Sequence, residues 1–95
     1  METKMYIVRT NRAGLFFGEI KSKNDKNIVM TNVRKIFYWD GAAAPEQLAL
    51  EGTKKPQNCK LTVIIPEMEI AEPIQIIPCT ELSINSLKKI PIWKM

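Results

Sequence analysis

The apolar residues of this chain occur in short runs separated by turn-forming residues, and this pattern limits the folds available to it. The runs at residues 5–10, 15–21, 28–31 and 33–39 are rich in β-branched and aromatic residues, which favour strands. Asn and Gly in the connection 11–14 are typical of a tight turn, so the first two runs predict an antiparallel hairpin. A bend or bulge is expected at Asn32, between the third and fourth runs.

The second half of the chain continues the pattern of short strands. Residues 59–65 are its clearest strand by alternation, and Pro66 is expected to end that strand. Two further strands are predicted at 67–70 and 74–77. Prolines flank the second of these, and because proline cannot donate to a ladder, an edge position is expected for it.

Two segments have the composition and end signals of short helices. Residues 44–51 are rich in good helix formers, with Pro45 at the start and Gly52 just past the end. Thr80 is a suitable N-cap for a second helix over 81–89. Together these elements predict an α+β fold, a small, mostly antiparallel sheet with one or two short helices, in a single domain spanning residues 1–95.

Composition excludes two classes of protein and leaves the role of the charge open. A hydrophobic fraction of 45% is too high for a disordered tail, and no apolar run approaches the roughly 20 residues of a membrane span. Residues 1–60 hold 11 basic and 6 acidic side chains, whereas residues 61–95 hold 3 and 4. This basic first part either serves solubility alone or favours an anionic ligand.

The chain lacks the residues that most enzymes and metal sites use. It contains no histidine, and its glycines match no phosphate-binding motif, so we expect no enzyme, no catalytic residue and no cofactor. Two cysteines without histidine predict neither a metal site nor a disulfide framework. Because the first residues also lack the apolar segment of a secretory signal, a reduced, cytoplasmic protein is expected.

One cluster of aromatic and basic side chains has the composition of a ligand site. Aromatic rings stack on bases, and arginines pair with phosphates. An alternative is that the aromatics form core or a subunit interface and that the arginines are solvated. The candidate ligand-binding residues are Arg9, Arg12, Arg34, Tyr38, Trp39 and Asp40.

Several segments of the chain also resemble a known family. They are residues 30–34, 38–43, 47–49, 51–52, 55–60, 74–81 and 91–94, and the aromatic-Trp-Asp-Gly-Ala sequence at 38–42 is the most specific. The chain resembles a family of small, uncharacterised proteins encoded by bacteriophages and prophages. The resemblance implies a viral gene and a bacterial host cytoplasm, and it implies no activity or binding residue.

The function expected from these observations is binding without catalysis. The first hypothesis is a homo-oligomeric phage-type protein that antagonises a host factor, in its sharpest form by sequestering an anionic nucleotide signal of antiviral defence. One alternative is a nucleic-acid-binding protein, whose affinity would fall steeply with salt. The other is a structural or interaction protein that acts through contacts with its own copies or with a host protein. No membrane partner is expected.

Overall fold

The structure is a computed structural model that describes residues 4–11 and 13–93, so the predicted site residue Arg12 lies outside the described residues. Within those ranges the expected α+β class is confirmed by a six-stranded antiparallel sheet with two short α-helices. Neither helix is long and apolar enough to cross a membrane. The elements are β1 (Tyr6–Thr10), β2 (Leu15–Lys23), β3 (Asn27–Tyr38), α1 (Pro45–Glu51), a 3-10 turn (Pro56–Asn58), β4 (Lys60–Leu61), β5 (Ile65–Ala71), β6 (Pro73–Pro78) and α2 (Glu81–Lys88).

The long strand β3 organises the sheet because it pairs with three other strands. Strand β2 runs along one side of it, from Leu15 opposite Ile36 to Lys23 opposite Ile28. The other side of β3 pairs first with β5 and then, near its end, with β4. Beyond β2 the order continues through β1 to β6, and every one of these strand pairs is antiparallel.

One bent segment connects the two sides of this sheet. Only Glu72, with a positive φ of 53°, separates β5 from β6. Strand β5 pairs with β3, whereas β6 pairs with β1 at the far side of the sheet. The continuous segment 65–78 therefore bridges the sheet, which curls into a small barrel-like shape with an inner and an outer face.

Alternating side chains fill a core on each face. Val8 and Phe16 lie opposite each other and belong to the inner cluster, with residues of β3, β5 and β6. Their neighbours Ile7 and Phe17 also lie opposite each other, but on the outer face, where α1 and α2 cover them. Because successive strand residues point to opposite faces, one hairpin supplies both cores.

Both helices begin and end where the sequence signals predict. Helix α1 starts at Pro45, and the N–H of Gly52 donates to the Leu48 carbonyl at 2.9 Å. Ahead of α2, the Thr80 hydroxyl accepts from the Ser83 N–H at 3.1 Å, as expected of an N-cap.

The strand predicted over 59–65 is wrong for most of its length. Pairing stops after Leu61, and the next strand begins at Ile65 and continues through Pro66. Residues 62–64, called the β4–β5 crossing below, lead from the position of β4 beside β3 to that of β5. Their backbone groups therefore form hydrogen bonds outside the regular strand pairing. The Thr62 N–H donates to the Lys35 carbonyl, and the Thr62 carbonyl accepts from the Arg34 side chain.

Strand β3 is continuous where the sequence predicted two strands. The bend expected at Asn32 is present as a residue with φ of 47°, a conformation that asparagine tolerates better than most residues. The neighbouring strand carries a register shift between Phe17 and Glu19. Paired irregularities of this kind increase the local bend of a sheet.

Gly18 in β2 gives the first test of the close packing between β2 and β3. A Cβ atom at this position would lie 2.8 Å from the Val33 Cα and 2.9 Å from its Cβ, too close for any side chain. We therefore expect Gly18→Ala to lower the free energy of unfolding by about 1–3 kcal/mol, measured by urea denaturation. Ser22→Ala, at an exposed position of the same strand, is the control. Equal stability of the two variants would contradict the packing described.

Candidate functional site

Arg34 is buried, with only 5% of its surface exposed, on the strand face that packs against the helices. Its Nε donates to the Thr62 carbonyl at 2.8 Å, and one terminal nitrogen donates to the Ile90 carbonyl at 3.0 Å. The other terminal nitrogen donates to the carbonyls of Pro91 at 3.1 Å and Leu61 at 3.3 Å. The guanidinium therefore ties the β4–β5 crossing to the C-terminal segment 90–93, called the tail below.

The charge of Arg34 has an unusual environment. In the part of the chain that the structure describes, no carboxylate lies within ion-pair distance of the Arg34 guanidinium. The ion pair within those residues is elsewhere, on the surface, between Lys21 and Glu67 at 2.9 Å. Desolvation by burial lowers the pKa of Arg34, yet a guanidinium stays protonated in proteins. Backbone carbonyl dipoles stabilise this buried cation, because each of its three nitrogens donates to at least one carbonyl.

The other predicted residues divide between two depressions. Arg9 and Trp39 line a groove of about 340 Å³ beside Phe37 and Pro45. Trp39 is half-buried against the outer core, and its Nε1 donates to the Ala42 carbonyl at 3.2 Å. Tyr38 and Asp40 line a separate cleft. The structure thus brings the predicted residues together in pairs, and Arg34 lies beneath the surface rather than beside Arg9.

A cleft of about 510 Å³ lies between the end of β3 and the tail. The aromatic parts of its wall are Tyr38, with 52% of its surface exposed, and Trp93, with 42% exposed. Polar side chains line the cleft as well. The lining residues are Tyr38, Asp40, Gln57, Asn58, Cys59, Lys60, Pro91, Ile92 and Trp93.

Trp93 is held by three contacts. Its ring stacks on Phe37 with centroids 5.0 Å apart and planes 25° apart, and the Lys60 ammonium lies 5.3 Å from its centroid. Its N–H donates to the Leu61 carbonyl at 2.9 Å, and Ile92 makes a parallel bridge to Leu61. The tail therefore adds a short extended segment beside β4 and presents an aromatic ring next to a cation.

Asp40 occupies a turn in which almost every polar group has a partner. Its Oδ1 accepts from the Gly41 N–H at 2.8 Å, and its Oδ2 accepts from Asn58 Nδ2 at 3.1 Å. The Thr53 hydroxyl donates to its carbonyl. The bonds from Asn58 and Gly41, with the nearby charge of Lys55, lower the pKa of Asp40, so the cleft contains an ionised carboxylate at neutral pH.

Gly41 is required for the shape of this turn. Its φ of 85° lies in the region that favours glycine. A Cβ atom at this position would also lie 2.6 Å from the Thr53 hydroxyl oxygen and 2.7 Å from the Lys55 backbone nitrogen, which is too close. The Asp-Gly pair that predicts a turn in the sequence thus brings the 53–55 segment against the end of β3.

Neither cysteine is presented as a nucleophile. Both are free, and burial raises the pKa of Cys79 to about 11, so its thiol stays protonated at neutral pH. Cys59 is buried, with its sulfur 3.5 Å from the carbonyls of Asp40 and Lys55. Across residues 4–11 and 13–93, no group of three acidic or cysteine side chains could hold a metal ion.

The sequence interpretation did not include Lys60, Asn58 or Trp93 among the candidate residues. Nothing local connects Trp93 with Phe37, 56 positions earlier in the chain. The sequence shows only that residues 90–93 are mostly apolar and end in an aromatic residue. This pattern does not indicate which residue Trp93 contacts, because the contact with Phe37 depends on the tail lying beside β4.

The family of the chain follows from a comparison with family models. The model of a domain of unknown function (DUF6948) matches residues 3–87. The chain belongs to this family. The matched range includes Arg34, Tyr38 and Asp40 and ends before the tail. No curated protein and no solved structure matches the chain significantly.

The lowered pKa of Asp40 predicts a pH dependence of stability. Because the folded-state pKa lies below the ordinary value of 3.8, the stabilisation is present above that value and is lost as pH falls through the folded pKa. We expect the wild type to lose more unfolding free energy than Asp40→Asn between about pH 5 and about pH 2.5, measured by urea denaturation. Parallel pH profiles for the two proteins would contradict the described turn.

Proposed function

We propose that this protein acts by binding without catalysis and that it holds a planar, anionic ligand of nucleotide type in the cleft between Tyr38 and Trp93. The observation that carries the proposal is the exposed Trp93 ring with the Lys60 ammonium 5.3 Å from its centroid, in a cleft that also contains the Asp40 carboxylate. A volume of about 510 Å³ lies within the usual range for small-ligand sites.

The groups of the cleft match the parts of a nucleotide. A base can stack on the exposed Tyr38 ring or on the face of the Trp93 ring that Phe37 does not cover, an interaction of about 1–3 kcal/mol per base. The Asp40 carboxylate is an acceptor for the amino group of a base, and Asn58 holds it in place at 3.1 Å. Lys60 supplies a positive charge for phosphate, and Lys55, close enough to affect Asp40, adds a second.

This site keeps two of the residues predicted from the sequence and changes their companions. Tyr38 and Asp40 remain, whereas Trp93 takes the stacking position expected of Trp39, and lysines take the place expected of arginines. Arg34 contributes through the backbone, because its donors are used by carbonyls. The net positive charge of the first 60 residues is consistent with an anionic ligand.

The biological setting that we propose is a viral gene product acting in the cytoplasm of a bacterial host. Its support is the resemblance of the chain to small bacteriophage and prophage proteins. In this setting, a protein that binds a nucleotide without converting it lowers the free concentration of that nucleotide. Sequestration of a nucleotide signal used in antiviral defence would antagonise the host in this way.

Calorimetry with three probes tests the proposal: adenosine monophosphate, a cyclic dinucleotide and a short single-stranded oligonucleotide. We expect a nucleotide probe to bind and Trp93→Ala to weaken the binding by about tenfold or more. Lys60→Gln should weaken binding and reduce its dependence on salt, because one phosphate contact is lost. Lys26→Gln, in an exposed turn far along the chain, is the matched control.

Three other outcomes decide against this proposal. Absence of heat with every probe rejects nucleotide binding. Binding of the oligonucleotide alone, with a steep salt dependence, favours a nucleic-acid-binding protein. Equal loss of affinity in Lys60→Gln and Lys26→Gln shows that general charge, rather than the cleft, is responsible.

A second candidate function, contact with another copy of the chain or with a host protein, has one specific observation in its favour. Four large apolar side chains near the cleft are exposed: Phe37 at 59%, Tyr38 at 52%, Ile92 at 50% and Trp93 at 42%. Aromatic residues are enriched in protein interfaces. Small domains with limited cores are also often stabilised by association.

Light scattering at several concentrations tests this second function. We expect a mass above that of one chain, and we expect Phe37→Ser to shift the equilibrium toward the monomer, since Phe37 is the most exposed of the four residues. Leu82→Ser is the control, because Leu82 is 64% exposed on α2. A wild-type protein that stays monomeric at all concentrations contradicts self-association.

A further inference from the structure

The tail is held on the barrel by the Ile90 side chain, by the stacking of Trp93 on Phe37 and by hydrogen bonds. Ile90 is buried at 3% exposure, but Ile92 and Trp93 keep about half of their surfaces in solvent. Pro91 has no N–H with which to join a ladder. In the hydrogen bonds that hold the tail, the Ile90 and Pro91 carbonyls accept from Arg34, and the Trp93 N–H donates to the Leu61 carbonyl.

Arg34 is suited to hold such a segment. Its planar guanidinium presents several donors in a fixed geometry, and here it reaches the tail and the β4–β5 crossing at once. Leu61, the last residue of β4 just before this crossing, forms a bridge with Ile92, two residues beyond Ile90. Arg34 thus fixes both sides of the contact that places Trp93 over the cleft.

We propose that Arg34 is a positioning residue of the cleft, which sets the place of the Trp93 wall by holding the Ile90 and Pro91 carbonyls. It acts on the ligand through the tail and makes no contact with the ligand itself. The part of this inference that concerns affinity rests on the proposed nucleotide function. The part that concerns the tail stands on the hydrogen bonds alone, so the two can be tested separately.

Arg34→Lys tests the proposal, because lysine keeps the charge but lacks the planar fork that spans four carbonyls. We expect the Trp93 amide to exchange with solvent about tenfold faster or more, as expected when its local hydrogen bonding is weakened. Amides of Ile7 and Val8 in the barrel should change far less. Nucleotide affinity should fall toward that of Trp93→Ala. Lys26→Arg, which exchanges the same two side chains at an exposed turn, is the control.

Two results would overturn the proposal. One is unchanged exchange of the Trp93 amide in Arg34→Lys, and the other is equal acceleration at Trp93, Ile7 and Val8, which indicates general destabilisation. If the wild type binds no nucleotide probe, the proposed function fails while the exchange measurement still decides the role of Arg34.

A measurement on the wild type decides the matter if Arg34→Lys does not fold. The Nη protons of Arg34, which donate to the Ile90 and Pro91 carbonyls, and the amide proton of Trp93 should then exchange through one shared opening, with equal opening equilibria and equal response to denaturant. Unrelated opening equilibria for the Nη protons and the Trp93 amide would overturn the proposal. A shared opening that is distinct from the opening of Ile7 and Val8 supports it.

Discussion

The hydrogen bonds of one buried guanidinium join two segments that strand pairing in the sheet does not hold together. Arg34 lies on the central strand and donates to carbonyls of two segments that are far apart in sequence. Hydrogen bonds to a charged group contribute about 1.5–3 kcal/mol each, and a buried cation without partners would be strongly destabilising. The β4–β5 crossing and the tail therefore depend on this side chain, and the cleft depends on both.

The closed sheet explains why the hydrogen bonds of Arg34 are needed near the end of β3. Segment 65–78 bridges β3 and β1, so the inner core is enclosed by strands, and the outer core is covered by two helices. Strand β3 extends past this body and ends in exposed aromatic residues. Short β4 and the tail lie against that extension, where few apolar contacts are available. Binding surfaces often occur where loosely covered segments meet a rigid scaffold in this way.

The sequence predicts the elements that are governed by local signals. Pro45 and Gly52 delimit one helix, Thr80 caps the other, and the Asp-Gly pair marks the turn at residue 40. It fails for 59–65, because the end of pairing there is decided by the Arg34 side chain and by the change of partner along β3. The sequence also does not predict the cleft, because this too depends on contacts between distant segments. Lys60 and Trp93 meet only because the tail returns to β4. An isolated arginine in a strand pattern gives no sign that its partners are backbone carbonyls.

The tail is docked on the barrel and forms one wall of the cleft. Nuclear Overhauser contacts between the ring protons of Phe37 and Trp93, in uniformly labelled wild-type protein, test this arrangement most directly. The stacked geometry, with ring centroids 5.0 Å apart, predicts strong contacts between the two rings, and the hydrogen bonds of Arg34 predict contacts from its Nη protons to the 90–91 segment. Absence of all these contacts, with Trp93 shifts typical of an unfolded peptide, would contradict the account.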